Sequence, residues 1–443
     1  MNFKVIANGF SNLLVKRIAG PFWLRRRQLA KTQWFEKREL QELQLKLLKR
    51  LIRHCYRTVP FYRSLMDDRG TKVEDICMLD DIKKFPILTK KDVLKASNSI
   101  YSTKYPKWLL RTAYTGGTTG TPMQIQRDLF SIGNEHAFVR RQWDWAGIGL
   151  RDRCAYLTGR LIAKPNQKDG PLYAYDPIMK ELILSTYHLS PMTAESYAQV
   201  IKEYKVKAIV GYPSAVYLLA HTCLDLGINI KLKSALMSSE TMTEPMRNTI
   251  AEAFKCKVFD FYGNAERVCY IHTCEHGRYH VIPEYGLTEL VPIDESDDIK
   301  CKVVSTGFWN MAMPLIRYDM GDIVTISDES CPCGRHFQVV ESIEGREGVV
   351  IKTPSGREFG AAILTHLLYG TNHILESQII QDSLDHITIE YVPDKDFYRD
   401  DLGAFEKLIT RHLPDELKVT LKQVEKVKRT LSGKVKPVVS HIT

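Results

Sequence analysis

The first residues that could do chemistry form a loop rich in glycine and threonine, RTAYTGGTTGTP at residues 111–122. Backbone N–H groups and threonine hydroxyls donate hydrogen bonds to phosphate oxygens, and glycine lets a backbone approach a ligand closely. A loop of this composition is more often an irregular turn, so other motifs must support it. The loop has Thr121 where a Walker loop has lysine after its last glycine, so the positive charge that phosphates need must come from elsewhere.

A second group has the donor types of a metal site. It consists of three cysteines and a histidine in the order Cys274, His280, Cys331 and Cys333. Three thiolates and one imidazole suit a closed tetrahedral Zn²⁺ site, which has no open position for catalysis. Other donors nearby leave the choice of histidine open: Cys269, His272 and His276. The alternative is a set of buried cysteines beside an exposed CEHGRYH turn.

The elements that must position these residues alternate between strand and helix from about residue 150 to 265. The predicted strands are CAYLTG, AIVGYP, ALMSSE and KVFDFYG, and the predicted helices are AESYAQVIKEY, AVYLLAHTCLDL and EPMRNTIAEAF. This alternation predicts a largely parallel sheet covered by helices, with ligands beyond the C-terminal ends of its strands. The polar residues at those ends are Tyr212, Ser238, Ser239, Glu240, Asn264 and Glu266.

The pattern changes after residue 345 to a small α+β arrangement, with predicted strands GVVIKT, SQIIQD, HITIEYV and KVTLKQV and a helix DDLGAFEKLITRHL. We therefore predict a large domain over residues 1–345 and a small domain over 346–443, joined by a hinge in EGREG at 344–348. The N-terminal region 1–63 is basic and helical. Leucines at spacings of three and four predict an amphipathic helix there that is stopped by Pro60.

Charge is concentrated at one end of the chain. Residues 1–63 carry fifteen Lys and Arg against three acids, so the rest of the 443-residue chain contributes −2 to the total of +10. This distribution, without a nucleic-acid motif, argues against nucleic acid as a partner. Ten cysteines in a chain of this length are too few for a disulfide scaffold, and neither a long apolar run nor a signal peptide is evident, so we expect a cytoplasmic protein.

The N-terminus also has an apolar side, formed by Phe3, Ile6, Phe10, Leu14 and Ile18. With basic residues nearby, it is compatible with peripheral contact at an anionic membrane. The alternative is a helix that packs on the body of the protein and exposes its arginines to solvent. Both interpretations stay open at this point.

Six motifs in one order give the sequence a family resemblance: TGGTTGTP, SSE at 238–240, YGNAE at 262–266, RYDMGD at 317–322, GREG at 345–348 and KRTLSGK at 428–434. The chain resembles, over nearly its whole length, the adenylate-forming superfamily of acyl-CoA synthetases, aryl ligases and luciferase. It looks most like the phenylacetate-CoA ligase group, including relatives linked with capsular polysaccharide synthesis. The segments LKRLIRHCYRTVPFYRSLMDDRG, DDIKKFPILTKKDV and CPCGR carry that closer likeness.

The resemblance implies an α/β fold, in which a large N-terminal domain has mainly parallel sheets flanked by helices and a small mobile α+β domain follows. It implies an enzyme that attacks the α-phosphorus of ATP with the carboxylate of a small acid, releases pyrophosphate and holds an acyl-adenylate. Coenzyme A would then accept the acyl group as a thioester. Since two anions must meet, the site needs cations and backbone N–H groups directed at the phosphates.

The resemblance also assigns roles to residues. Lys434 would bridge the substrate carboxylate and the α-phosphate, which supplies the charge absent from the loop. Glu266 would ligate Mg²⁺, Asp322 would accept the ribose hydroxyls, Tyr262 would flank the adenine, and Arg346 would contact the ribose or steady the hinge. Phosphate donors would come from the loop, as Thr115, Gly116, Gly117, Thr118, Thr119 and Gly120. The remaining nucleotide-pocket residues would be Ser239, Glu240, Gly263 and Asn264. Zinc-carrying relatives add support to the cysteine and histidine site.

Two other functions remain. One keeps adenylation but transfers the acyl group to a non-CoA acceptor, such as a sugar amine in surface-polysaccharide biosynthesis. The other is a non-enzymatic zinc-containing binding protein, which the confinement of charge to the first 63 residues disfavours. Segments 137–149 and 211–217 are candidate walls of the acyl pocket. Their aromatic residues Phe138, Trp143, Trp145 and Tyr212 allow an aromatic acid, and Arg140 or Arg141 could equally meet a second carboxylate or a polar substrate. The sequence leaves the acid and the oligomeric state open.

Overall fold

The structure is a computed structural model that describes residues 3–18, 20–115, 123–163, 170–294, 297–346, 350–355, 358–360, 373–412, 416–430 and 434–442. Contacts between Cα atoms divide the chain into two compact units. Unit 1 combines Phe3–Gly149 with Phe259–Ile343, and unit 2 combines Leu150–Val258 with Glu344–Thr443. Among the described residues, no helix combines the length and apolar character needed to cross a bilayer.

The helices are α1 (Phe3–Leu13), α2 (Phe22–Thr32), α3 (Lys37–Thr58), α4 (Pro60–Asp68), α5 (Lys90–Ala96), α6 (Leu129–Trp145), α7 (Pro191–Glu203), α8 (Pro213–Asp225), α9 (Glu244–Phe254) and α10 (Arg399–His412). The first ten strands are β1 (Arg111–Tyr114), β2 (Gln124–Arg127), β3 (Cys154–Leu157), β4 (Tyr173–Asp176), β5 (Glu181–Leu184), β6 (Ala208–Gly211), β7 (Ser234–Ser238), β8 (Lys257–Gly263), β9 (Tyr270–Thr273) and β10 (Tyr279–Val281). The remaining strands are β11 (Gly286–Asp294), β12 (Asp297–Gly307), β13 (Tyr318–Ile326), β14 (Val339–Arg346), β15 (Val350–Lys352), β16 (Glu358–Gly360), β17 (Ile374–Ser383), β18 (His386–Pro393), β19 (Lys418–Gln423) and β20 (Val438–Ser440).

Helix starts follow local capping chemistry. The side chain of Asp128 accepts a hydrogen bond from the Ser131 N–H at the start of α6, and Thr243 accepts one from the Met246 N–H at the start of α9. Such caps satisfy N–H groups that have no partner within the helix. Pro60 does end α3, as predicted, but it also occupies the first turn of α4, where its missing N–H costs nothing.

Unit 1 is built on an antiparallel sheet that the sequence analysis did not predict. Its strands follow the order β11-β12-β13-β14-β10-β9-β8. Helices α1 to α6 lie in the same unit, and α3 buries one apolar face that includes Leu47, Leu48 and Leu51. The Arg111–Tyr114 and Gln124–Arg127 strands form a separate two-stranded hairpin. This unit carries the predicted magnesium, ribose and zinc residues.

Unit 2 contains the predicted parallel sheet, with strands in the order β7-β6-β3-β5 and β4 antiparallel at the edge. A second sheet, in the order β19-β18-β17-β20, forms the C-terminal α+β region. Buried residues of the C-terminal segment share one apolar core with α7, α8 and α9, namely Leu375, Val392, Val427 and Val435. The division into domains 1–345 and 346–443 remains a prediction, and residues 347–349 at its boundary lie outside the described part.

Candidate active site

The glycine-threonine loop joins the two strands of the β1-β2 hairpin. Thr115 is buried, and its N–H donates to the carbonyl oxygen of Met123 at 3.0 Å. The Met123 N–H donates in return to the Thr115 hydroxyl at 3.0 Å. These two bonds hold the ends of the loop together. The other predicted donors lie outside the described residues: Gly116, Gly117, Thr118, Thr119 and Gly120.

Glu266 follows strand β8 in a turn that Asn264 stabilises. The Asn264 side chain accepts a hydrogen bond from the Val268 N–H at 3.1 Å and donates one to the Cys269 carbonyl at 3.2 Å. Glu266 is only 6% exposed, and the Tyr318 hydroxyl donates to its Oε1 at 3.4 Å. A buried carboxylate is a hard oxygen ligand of the kind that Mg²⁺ prefers. The predicted role of Glu266 therefore has a chemical basis.

Tyr262 and Asp322 are in direct contact. The Tyr262 hydroxyl donates to Asp322 Oδ2 at 2.5 Å, which joins the end of β8 to β13. Burial, together with the negative charge of Asp322, raises the pKa of Tyr262 well above its usual value, so the phenol stays protonated and keeps donating. Tyr262 and Asp322 come from separate motifs, and both are assigned to the nucleotide pocket. The hydrogen bond therefore places an aromatic ring and a carboxylate acceptor side by side, next to Gly263 at the end of β8.

Glu240 lies just beyond β7, after Ser239, whose φ of +73° is left-handed. Non-glycine residues rarely adopt this conformation, and it recurs at functional sites. The Glu240 carboxylate accepts the Ser214 N–H at 3.1 Å through Oε2 and the Val435 N–H at 3.1 Å through Oε1. Burial raises the pKa of Glu240, and the two N–H donors and Arg429 act against that effect. Glu240 therefore connects Ser214, at the start of α8, to Val435, the residue after Lys434.

Lys434 lies over the ring of Tyr212, with Nζ 5.5 Å from the ring centroid. Its N–H donates to the Thr430 hydroxyl at 3.1 Å, and the Thr430 N–H donates to the Lys434 carbonyl at 2.9 Å. A cation at this distance is attracted by the ring face. Burial raises the pKa of Tyr212 to about 12, so its ring stays neutral beside the ammonium. The lysine predicted to be catalytic thus lies among residues at the carboxyl ends of β6 and β7.

Arg346 is the last residue of β14, and the structure gives no description of its side chain. Gly345 before it has a φ of +92°, a conformation that favours glycine. Glu347 and Gly348, at the predicted pivot of the hinge, lie outside the described residues.

The four predicted zinc ligands come together in unit 1. One donor atom from each of Cys274, His280, Cys331 and Cys333 lies within 4.8 Å of the others. The Cys274 and Cys331 sulfurs are 3.5 Å apart, and Cys333 Sγ lies 3.5 Å from His280 Nε2. Zinc bonds of about 2.0–2.3 Å at tetrahedral angles place neighbouring donors roughly 3.5–3.8 Å apart. The cluster therefore fits a closed structural zinc site.

Local turns explain why these four donors converge. Cys274 follows β9 and His280 lies in β10, and the turn between the two paired strands has Gly277 at a φ of +77°. In the second segment the Gly334 N–H bonds to the Cys331 carbonyl at 3.4 Å. Burial lowers the pKa of His280 to about 4, so its ring is neutral and able to ligate. The alternative histidine His272 instead packs on Trp145, 4.6 Å between ring centroids.

The candidate arginines of the acyl pocket have other partners. Arg141 Nη1 lies 2.7 Å from Glu284 Oε1, and both side chains are 3% exposed. Arg140 donates to the Ile148 carbonyl at 2.8 Å. Phe138 is fully buried against other aromatic rings. These contacts favour a structural role for segment 137–149, whereas Tyr212 of the second candidate segment lies beside Lys434.

Sequence reasoning missed residues that support the site from within the quoted motifs. Tyr318, in RYDMGD, bonds Glu266. Arg429, in KRTLSGK, forms a buried ion pair with Glu376. Tyrosine and arginine can both donate hydrogen bonds to carboxylates. Their positions inside the motifs were the feature of the sequence that could have indicated a supporting role. Thr430, beside Arg429, forms two hydrogen bonds with the backbone of Lys434.

Comparisons with known proteins place this geometry in a family context. The chain is 25% identical over 416 residues to the phenylacetate-coenzyme A ligase of Thermus thermophilus, covering 87% of this chain and 92% of that protein. It is 24% identical over 396 residues to protein CapK of Staphylococcus aureus, covering 87% of each. A family model described as the CapK C-terminal domain matches residues 351–441. The chain is a relative of the phenylacetate-CoA ligases and of CapK.

A solved structure has the same fold. The structure of 2-hydroxyisobutyryl-CoA ligase in the postadenylation state, in complex with R3-HIB-AMP, matches with a TM-score of 0.69 at 17% identity, covering 92% of this chain and 90% of that one. The predicted fold class is therefore confirmed: mixed α/β, with a large sheet flanked by helices and a smaller C-terminal sheet domain. The sequence relatives named phenylacetate-coenzyme A ligase support the predicted class of enzyme, the adenylate-forming ligases.

Proposed function

We propose that the protein activates a small carboxylic acid with ATP. The acid's carboxylate oxygen attacks the α-phosphorus, the bond from that phosphorus to the β-phosphate oxygen breaks, and pyrophosphate leaves with its electron pair. The product is an acyl-adenylate. In a second step a thiolate, that of coenzyme A, attacks the acyl carbon and AMP leaves. The relatives named phenylacetate-coenzyme A ligase support this thioester-forming second step.

The observation that carries the proposal is the position of Lys434. The RTLSGK motif is far along the chain from the other motifs, yet Lys434 lies over Tyr212, and its neighbour Val435 is bonded to Glu240. The first step brings two anions together, so a cation held beside the reacting groups stabilises the charge that develops in the transition state.

The remaining roles follow from the donor types. Glu266 would hold Mg²⁺, which neutralises phosphate charge, and Asp322 would accept hydrogen bonds from the ribose. Tyr262 would lie against the adenine with its hydroxyl still bound to Asp322. Thr115 would anchor the phosphate loop at its start. Structural Zn²⁺ would be held by Cys274, His280, Cys331 and Cys333 and would stabilise the fold of unit 1 without a part in the reaction.

A second acceptor is supported by a separate observation. The C-terminal region matches the family model of the CapK C-terminal domain, and in the predicted domain arrangement this region would admit the acceptor. A non-CoA nucleophile such as a sugar amine would then replace the thiol and form an amide. The two acceptors are distinguished by whether a coenzyme A thioester accumulates when coenzyme A is the only nucleophile supplied.

The test is acid-dependent exchange of pyrophosphate into ATP without coenzyme A, over aryl, fatty, hydroxy and amino acids. Exchange with one class would name the substrate class. We expect Lys434→Ala to reduce exchange by about 10²–10³-fold, the usual effect of removing one transition-state donor. Lys426→Ala is the matched control, because Lys426 is exposed and lies in the same segment. Equal loss in both variants, or wild-type exchange in Lys434→Ala, would remove the assignment.

A further inference from the structure

Helix α1, the π-helical turn Leu14–Ile18 that follows it and helix α2 expose large apolar side chains in unit 1. Phe10, Leu14 and Ile18 recur at a spacing of four and are 55%, 37% and 60% exposed. At the start of α2, Trp23 and Leu24 are 56% and 62% exposed. We call these five residues the N-terminal apolar surface. Single exposed apolar residues are ordinary, whereas several close together along the chain call for an explanation.

Trp23 and Leu24 are exposed although α2 packs against the rest of unit 1. Phe22 and Leu29 on the same helix are 0% and 1% exposed, so α2 already buries an apolar face. Side-chain bonds fix α2 to α6: Arg26 pairs with Asp144 at 3.0 Å, and Arg25 donates to Asn134 at 2.9 Å. The outward apolar side chains are therefore presented from an anchored helix.

Up to residue 35, the chain segment that carries this surface has charges of one sign, although Arg26 pairs with Asp144 of α6. From Met1 to Phe35 the sequence has seven Lys and Arg, and its first acidic residue is Glu36. Arg27 and Lys31 on α2 are exposed. Such a region attracts an anionic surface, and each basic residue close to anionic lipid strengthens binding by about fivefold. A second copy of this chain would instead bring two basic regions together.

We propose that the N-terminal apolar surface, with Arg27 and Lys31, docks on the interface of an anionic lipid bilayer. Aromatic and aliphatic side chains enter the boundary between headgroups and acyl chains, where tryptophan is favoured, while the basic residues contact headgroup phosphates. Nucleic acid shares the charge preference but would leave five apolar side chains without a partner. None of the seven residues is among the predicted catalytic residues.

The test is co-sedimentation of the full chain with vesicles of phosphatidylcholine alone and of phosphatidylcholine mixed with phosphatidylglycerol. We expect binding to the mixed vesicles only, weakened by salt. The double variant Phe10→Asp/Trp23→Asp should reduce binding at least tenfold. Trp108→Asp is its control, because Trp108 is 78% exposed elsewhere in the chain. The variant Arg27→Glu/Lys31→Glu should also weaken binding, and exposed Lys95→Glu should not.

Three results would overturn the proposal. They are no binding of the wild type to the mixed vesicles at low salt, unchanged binding by the Phe10→Asp/Trp23→Asp variant, and a wild-type dimer that this variant converts to monomer. The last would make the surface a contact between copies. Circular dichroism confirms that each variant is folded. Vesicle binding requires neither ATP nor an acid, so its failure would leave the proposed reaction untouched.

Discussion

The buried pair of Arg141 and Glu284 gives a prediction whose size follows from the structure. Arg141→Met removes the guanidinium 2.7 Å from Glu284 Oε1, in a place where both side chains are 3% exposed. Glu284 would keep a hydrogen bond from the Thr32 hydroxyl at 2.8 Å. Leaving a buried charge without its partner costs about 3–5 kcal/mol. At roughly 2–4 °C per kcal/mol for a unit of this size, the melting temperature should fall by about 6–20 °C.

Two further variants test whether the loss of stability comes from the unpaired buried charge of Glu284. Arg141→Met/Glu284→Leu removes both charges and should recover most of the lost stability, because neither charge then has to be desolvated. Arg26→Met breaks the pair with Asp144, whose side chains are 31% and 35% exposed. Water replaces that partner, so we expect a loss of about 1 kcal/mol or less.

Thermal and urea unfolding measure these differences, and pyrophosphate exchange is measured on the same samples. We expect Arg141→Met to lose stability while it keeps its exchange rate per folded molecule. A melting temperature within about 2 °C of the wild type would refute the energetic argument. Normal melting together with a raised KM for the acid would show that Arg141 binds substrate, as the sequence pattern allowed.

Two more predictions concern the zinc cluster and His373. Metal analysis should find one zinc per chain, and Cys331→Ser should lower the melting temperature while Cys77→Ser, at an exposed cysteine, leaves it unchanged; metal-free protein that melts as the wild type does would contradict the zinc assignment. A hydrogen bond to Asp394 raises the pKa of His373, so this contact stabilises the fold below the unfolded pKa of about 6.5 and the benefit is lost as pH rises through the folded pKa. Urea midpoints of wild type and His373→Ala should therefore differ at acidic pH and converge at alkaline pH, and a gap that is independent of pH would exclude the titration of His373 as its cause.

The parallel part of the fold could be predicted because its signals are local. The strands at Ala208–Gly211 and Ser234–Ser238 are short apolar runs buried on both faces, the expected pattern for a covered parallel sheet. The helix Glu244–Phe254 has the predicted bounds, since Thr243 caps its start and an apolar period of about 3.6 continues to its end. Each of these features can be read from a dozen residues.

The antiparallel strands of unit 1 escaped prediction because their pairing joins distant parts of the chain. His280 pairs with Val339 of β14, and Tyr262 at the end of β8 bonds Asp322 in β13. Residue types can nominate a tyrosine and an aspartate for one pocket, but only the sheet register decides that they touch. The same limit applies to Arg141. Its charge suggested contact with a polar substrate, but in the structure it is buried and paired with Glu284.

The position of Lys434 depends on its neighbours more than on its own side chain. Its backbone N–H and carbonyl both form hydrogen bonds with Thr430. On either side of it, the Val435 N–H donates to Glu240, and Arg429 pairs with buried Glu376. Glu240 is therefore both a predicted nucleotide-pocket residue and part of what holds this segment in place. A loss of activity in a Glu240 variant could arise from either role. Lys434→Ala removes the side chain beyond Cβ, and the ammonium with it, while the backbone bonds of Lys434 and Val435 do not depend on that side chain, so the variant tests the charge on which the proposed reaction depends.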